Sequence, residues 1–194
     1  MLQVKRIVND IFTSNTYIVM DEEYDYCWLV DIGDLQKVTD ALPPNIEIRG
    51  VFLTHGHFDH IYGANALHRA YPHCMVYTSV YGKEELYNEK KNFSLYHETS
   101  FVYEGKDVSV LGEGDIVELY PNVVINIIAT PGHCPSCLTY SIDKWLFTGD
   151  SYIPEVKVVT KLRNGNRELA KQSEKRILTL AKDKIICPGH GDVA

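Results

Sequence analysis

His55-Gly56-His57-Phe58-Asp59-His60 is the stretch on which the fold turns. Four potential metal ligands occupy six consecutive positions. Imidazole and carboxylate together suit borderline divalent metals: zinc, and also iron or manganese. An extended or turning His55-x-His57 pair projects two imidazoles together. Asp59 and His60 point elsewhere once the chain turns into a helix. That division predicts two neighbouring metals rather than one. Gly56 is read as permitting a tight turn that a side chain would obstruct. A lone loop histidine is ordinarily a surface or hydrogen-bonding residue, and His68, His73 and His97 are read that way.

Outward from this stretch the same grammar repeats: an apolar strand, small turn residues, then His or Asp. Val51-Phe52-Leu53 runs into His55. Val123–Ala129 and Thr130-Pro131-Gly132 lead to His133. Trp145-Leu146-Phe147 and Thr148-Gly149 lead to Asp150, and Ile185-Ile186-Cys187 with Pro188-Gly189 lead to His190. Strand ends on a rigid sheet hold side chains in a fixed cluster while the loops stay open to a substrate. Residues 16–20 and 26–30 read as a hairpin ending at Asp31-Ile32-Gly33-Asp34. Leu35, Val38 and Leu42 fall at helical spacing before Pro43-Pro44. A second helix is expected to begin near Asp59 or His60, to carry Ala64, Leu67 and Ala70, and to end at Pro72. Residues 76–78 form another strand, and Leu169, Ile177, Leu180 and Ala181 mark a late amphipathic helix. Strands and helices are mixed along the chain, so the class is α/β or α+β.

The length of 194 residues suits one domain, residues 1–194, burying roughly 70% of the unfolded chain's surface. Nineteen basic against 26 acidic residues give a net charge of -7. That balance disfavours a nucleic-acid surface. No apolar run reaches ~18 residues, so no membrane span is expected. No apolar segment follows the opening Met1-Leu2-Gln3-Val4-Lys5-Arg6-Ile7. The five cysteines (Cys27, Cys74, Cys134, Cys137, Cys187) are therefore read as reduced thiols of a cytoplasmic protein. The partner expected is a small-molecule substrate, and the oligomeric state is left open.

These motifs closely resemble the metallo-β-lactamase superfamily, whose signature is H-x-H-x-D-H followed by a single His, a single Asp and a final His. The resemblance runs from Asn15-Thr16-Tyr17 to His190. It implies a four-layer αββα sandwich with two divalent metals at one edge between the sheets. By that resemblance His55, His57 and His133 bind the first metal. Asp59, His60 and His190 bind the second, and Asp150 bridges them. A hydroxide bridging the metals is then the nucleophile, since one zinc alone brings bound water to a pKa of about 7. The metals polarise the substrate carbonyl, and Asp59 additionally orients the nucleophile or relays its proton.

Within the superfamily the pattern is similar to the glyoxalase II-like branch, whose members hydrolyse thioesters. The chain stops four residues after His190, without that branch's C-terminal helical domain, and shows no clear basic set for glutathione. A small thioester or ester is the substrate class expected. Two other functions stand beside it. One is a mononuclear iron enzyme similar to persulfide dioxygenases, with His55, His133 and Asp150 holding the iron. The other is a non-enzymatic module whose metals only stabilise the fold. Tyr62 and Tyr152 are candidate hydrogen-bond donors at the cleft. Residues 71–103 are rich in aromatics, suited to a pocket wall or to ordinary packing. Cys134-Pro135-Ser136-Cys137 reads either as two small packed side chains or as a redox-sensitive pair near the metals.

Overall fold

The computed structural model describes all 194 residues. Strands β1 (Leu2–Val8), β2 (Asn15–Asp21) and β3 (Tyr26–Val30) form an antiparallel meander. Strands β4 (Glu47–Phe52), β5 (Met75–Thr78) and β6 (Val108–Val110) extend the sheet in parallel, in the order β1-β2-β3-β4-β5-β6. The second sheet is built from β7 (Ile116–Tyr120), β8 (Val123–Ala129), β9 (Leu138–Ile142), β10 (Trp145–Gly149) and β11 (Ile185–Pro188). Its order is β11-β10-β9-β8-β7, antiparallel except for the parallel β10–β11 pair.

Helices α1 (Leu35–Ala41), α2 (Phe58–Ile61), α3 (Ala64–Ala70) and α4 (Val80–Leu86) lie between strands of the first sheet, and α5 (Arg167–Leu180) precedes β11. Side chains alternate across a strand, and β3 uses both faces. Cys27 and Leu29 join a core with Val38 of α1, Leu67 of α3 and Leu86 of α4. Tyr26, Trp28 and Val30 face the second sheet, against Leu119, Ile125 and Tyr140. On the far side, Ile128 and Leu146 pack on Ile177 of α5. The layers are therefore helices, sheet, sheet, helix, which is the αββα sandwich expected. Each large side chain buried between the sheets is worth about 1.5–3 kcal/mol of transfer free energy. No helix is long and apolar enough to cross a membrane.

The helix expected from Asp59 to Ala70 is broken into α2 and α3 at Tyr62 and Gly63. There the Gly63 amide leaves the helical ladder and donates to Ile32 O at 3.2 Å, and a Cβ at Gly63 would collide with the backbone carbonyl of Gly33. This tight crossing brings the Asp31–Asp34 turn against the ligand-bearing helix. There the Ile32 amide donates to His60 O at 2.9 Å.

Candidate metal centre

Four strands deliver the cluster. His55 follows β4, His133 follows β8, Asp150 follows β10 and His190 follows β11. His57 caps α2, which carries Asp59 and His60. The loops are tied together by backbone bonds. Gly189 N donates to Gly149 O at 2.9 Å, and Asn15 N donates to Gly189 O at 2.7 Å. The Ser14 hydroxyl donates to Asp59 O at 2.7 Å.

The seven side chains named from the sequence meet at one place, in two groups. Asp59 Oδ2, His60 Nε2 and His190 Nε2 lie 3.2–3.3 Å from one another. Tetrahedral ligands at ~2.0–2.1 Å from zinc stand about 3.3 Å apart. His55, His57 and His133 form the other group, with His57 Nδ1 2.9 Å from His133 Nε2. Asp150 stands between them. Its Oδ1 is 3.5 Å from His60 Nε2 and 3.6 Å from His190 Nε2, and its Oδ2 is 3.6 Å from His133 Nε2.

The donor set fits divalent metals. His55 Nε2 and Asp150 Oδ1 are buried with no hydrogen-bond partner. Such atoms are costly unless a cation or proton satisfies them. Burial, reinforced by His133, pushes the His57 imidazole down to about 3, so it stays neutral with its lone pair available. Burial and three neighbouring imidazoles likewise lower His55 well below its usual value. Burial opposes charge on His60 too, but Asp59, Asp150 and Asp31 outweigh it and raise that histidine. Burial alone would raise Asp59, yet His60 and His190 hold its carboxyl far below the usual range. The second group thus retains positive charge strongly, as protons or as metal.

Outer partners fix the rings. His133 Nδ1 is 2.8 Å from Val159 O, and His190 Nδ1 is 3.0 Å from Phe12 O. These bonds place a proton on Nδ1 and turn Nε2 inward. His60 Nδ1 and, through Thr54, His55 Nδ1 are oriented by Asp31. Asp31 was missed as a site residue in sequence reasoning. It obeys the same grammar, an acid directly after the apolar strand β3, and that signal was available.

Two expected cleft residues are elsewhere. The Tyr62 hydroxyl is buried beside Asp34, and its ring packs on the first core, because the α2–α3 break turns it from the ligands. Tyr152 packs against Ile128, Leu146 and Ile177 and borders a depression beside α5. The cleft over the cluster is instead walled by Phe12, Phe58, Phe93, Tyr96 and Leu162. His97, expected to be an ordinary surface residue, borders the same cleft, its ring 4.6 Å from Phe58. Of the aromatic segment, Phe93 and Tyr96 face the cleft, whereas Tyr77 stacks on Phe52 in the core.

Gly56 is needed for a different reason from the turn expected. A Cβ there would strike Glu85, whose Oε2 accepts the Gly56 amide at 3.0 Å. The thiols of Cys134 and Cys137 lie 3.0 Å apart, and both are buried.

The profile of the family described as Metallo-beta-lactamase superfamily matches residues 13–190. Among solved structures, the B3 metallo-β-lactamase BLEG-1 is similar with a TM-score of 0.90 at 23% identity, over 99% of this chain and 93% of that one. TTHA1623, solved in a di-iron-bound form, gives 0.81 at 22% identity over 98% and 93%. ETHE1 from Myxococcus xanthus gives 0.73 at 26% identity over 99% and 79%.

Proposed function

Because this chain belongs to the metallo-β-lactamase superfamily, we propose that it is a metal-dependent hydrolase of a small thioester or ester, nearest in chemistry to the glyoxalase II-like branch. The observation that carries this reading is Asp150, which turns one oxygen to each of two ligand groups. The first group would be His55, His57 and His133, and the second Asp59, His60 and His190. Two divalent ions held there, zinc first and iron or manganese as alternatives, supply Lewis acidity and make water acidic near neutral pH.

The chain's own residues supply the rest. Asp59 is held ionised and borders the cleft, so its carboxylate accepts a hydrogen bond from the attacking water and orients it. Asp31, Val159 and Phe12 keep three imidazoles in fixed orientation through turnover. The aromatic wall offers apolar surface against which a substrate packs beside the ligands.

The mononuclear iron alternative leaves the second group empty. Its three ligand atoms lie 3.2–3.3 Å from one another, the spacing of ligands around one divalent ion, which supports two metals instead. Five unpaired, buried cysteines support a reducing, cytoplasmic setting. The test is elemental analysis of protein purified without added metal, followed by a thioester panel. About two metals per chain and metal-dependent turnover abolished by Asp59→Ala or Asp150→Ala are expected. Full activity with one metal, or oxygen consumption with a persulfide, overturns the reading.

A further inference from the structure

The cleft continues past the ligands into a second lobe, with His57 and Phe93 bordering both. The lobe over the ligands, about 370 Å³, is largely aromatic and aliphatic on its outer wall. The adjoining lobe, about 420 Å³, is polar, and its lining includes Tyr81, Lys91, Arg163 and Asn164. Glu84 and Glu85 also border it.

Charges in the polar lobe do not cancel. Lys91 is paired with Glu84. Glu85 is buried, commits Oε2 to the Gly56 amide, and is pushed by burial up to about 7, so it is only partly ionised at neutral pH. Arg163 lines the lobe without an ion-pair partner. An unmatched guanidinium facing a cavity is notable in a chain whose net charge is -7.

The loop that places Arg163 is anchored to the ligand cluster. Val159 O bonds the His133 ring at 2.8 Å, and the Asn166 amide donates to Gly132 O at 2.8 Å. Between these anchors, Gly165 N donates to Leu162 O at 3.0 Å and closes a turn. That turn puts Leu162 in the apolar lobe and Arg163 in the polar one.

Resting on the hydrolase reading above, we propose that the substrate has two arms, an apolar one lying over the metal ligands and one ending in a carboxylate that Arg163 binds. The reacting carbonyl then sits at the His57 junction of the lobes. A guanidinium offers parallel donors that match a carboxylate in geometry and charge. One unpaired arginine beside a lysine already neutralised by Glu84 suits a single negative charge. A cationic arm would meet Arg163 unshielded.

The experiment uses 3-(benzylthio)propanoate and its N-methylamide, thioethers with no ester or thioester bond to hydrolyse, titrated calorimetrically into the metal-loaded protein. Wild type is expected to bind the acid about tenfold more tightly than the amide. Arg163→Ala should erase that preference by weakening the acid alone, Arg163→Lys should keep part of it, and Arg163→Glu should reverse it. Arg163 is exposed, so folding is not at stake. Equal affinity for acid and amide in wild type, or a preference that survives Arg163→Ala, overturns the assignment. Hydrolysis of S-benzoyl-3-mercaptopropanoate and its methyl ester is then measured separately. Turnover of neither thioester counts against the hydrolase reading, while the binding series alone decides the role of Arg163.

Discussion

Asp31 Oδ2 lies 2.9 Å from His60 Nδ1, between two buried side chains. The same oxygen accepts the Thr54 hydroxyl at 2.8 Å, and Thr54 Oγ1 lies 3.0 Å from His55 Nδ1. One acid therefore orients a histidine in each half of the cluster. It sits in the left-handed region at φ 57°, which aspartate and asparagine tolerate better than most residues. Asp31→Asn is thus expected to fold while losing the charge that orients His60. Metal affinity should fall roughly 10–100-fold, measured by competition with a chromophoric chelator. Unchanged affinity would show that ring orientation does not depend on this acid.

Gly189 has no room for a side chain. A Cβ there would collide with Asp150 Oδ1 and crowd His60 Cε1. Gly189→Ala should displace the Asp150 carboxylate and lower the bound metal per chain, read by elemental analysis after gel filtration. Retention of the wild-type metal content would rule out this packing argument.

Glu85 ties stability to pH. Burial lifts its carboxyl from 4.5 to about 7 in the folded chain. Between those values the folded protein holds a proton that the unfolded chain has released. Stability is therefore present below the lower value and is lost as pH rises through the upper one, by up to about 3 kcal/mol. Glu85→Gln keeps an acceptor for the Gly56 amide and removes the ionisation. Urea unfolding of metal-free protein should show the variant gaining on wild type between pH 5 and pH 8. Parallel pH profiles would refute the assignment.

Cys134 and Cys137 are each only 2% exposed, and burial holds the Cys134 thiol well above its ordinary range. Reactivity needs an accessible thiolate. Iodoacetamide should label neither in the native protein at neutral pH, and all five cysteines after denaturation. Rapid native labelling at either position would favour the redox reading of this pair.

The gathering of the seven side chains was legible because four of them crowd into six positions and His133, Asp150 and His190 each follow an apolar strand. Several elements were not. Strand β1 is an edge strand carrying Gln3, Lys5 and Arg6, and its half-exposed pattern hides it. Strand β9 contains Thr139 and Ser141, which are buried because the strand is covered on both faces. Helix α4 is short and polar in sequence, yet its Ser79 cap and buried Glu85 brace the loops of His133 and His57. The sequence offered no way to see that Arg163, in an irregular loop, shares a lobe with Lys91 more than seventy positions earlier. Tyr62 and Tyr152 were misplaced for the same reason. Adjacency to a motif says nothing of which way a ring turns once a helix breaks or a loop folds back.

The ligands are drawn from both sheets, with Asp59 and His60 arriving from one side and Asp150 and His190 from the other. Any ion they share is therefore a cross-link between the halves of the sandwich, and one that can be withdrawn. It joins positions 59 and 190, so it closes a loop spanning most of the chain. Resistance to heat then follows the logarithm of free metal rather than a fixed property of the polypeptide. The melting temperature of this protein becomes a gauge of the metal supply around it.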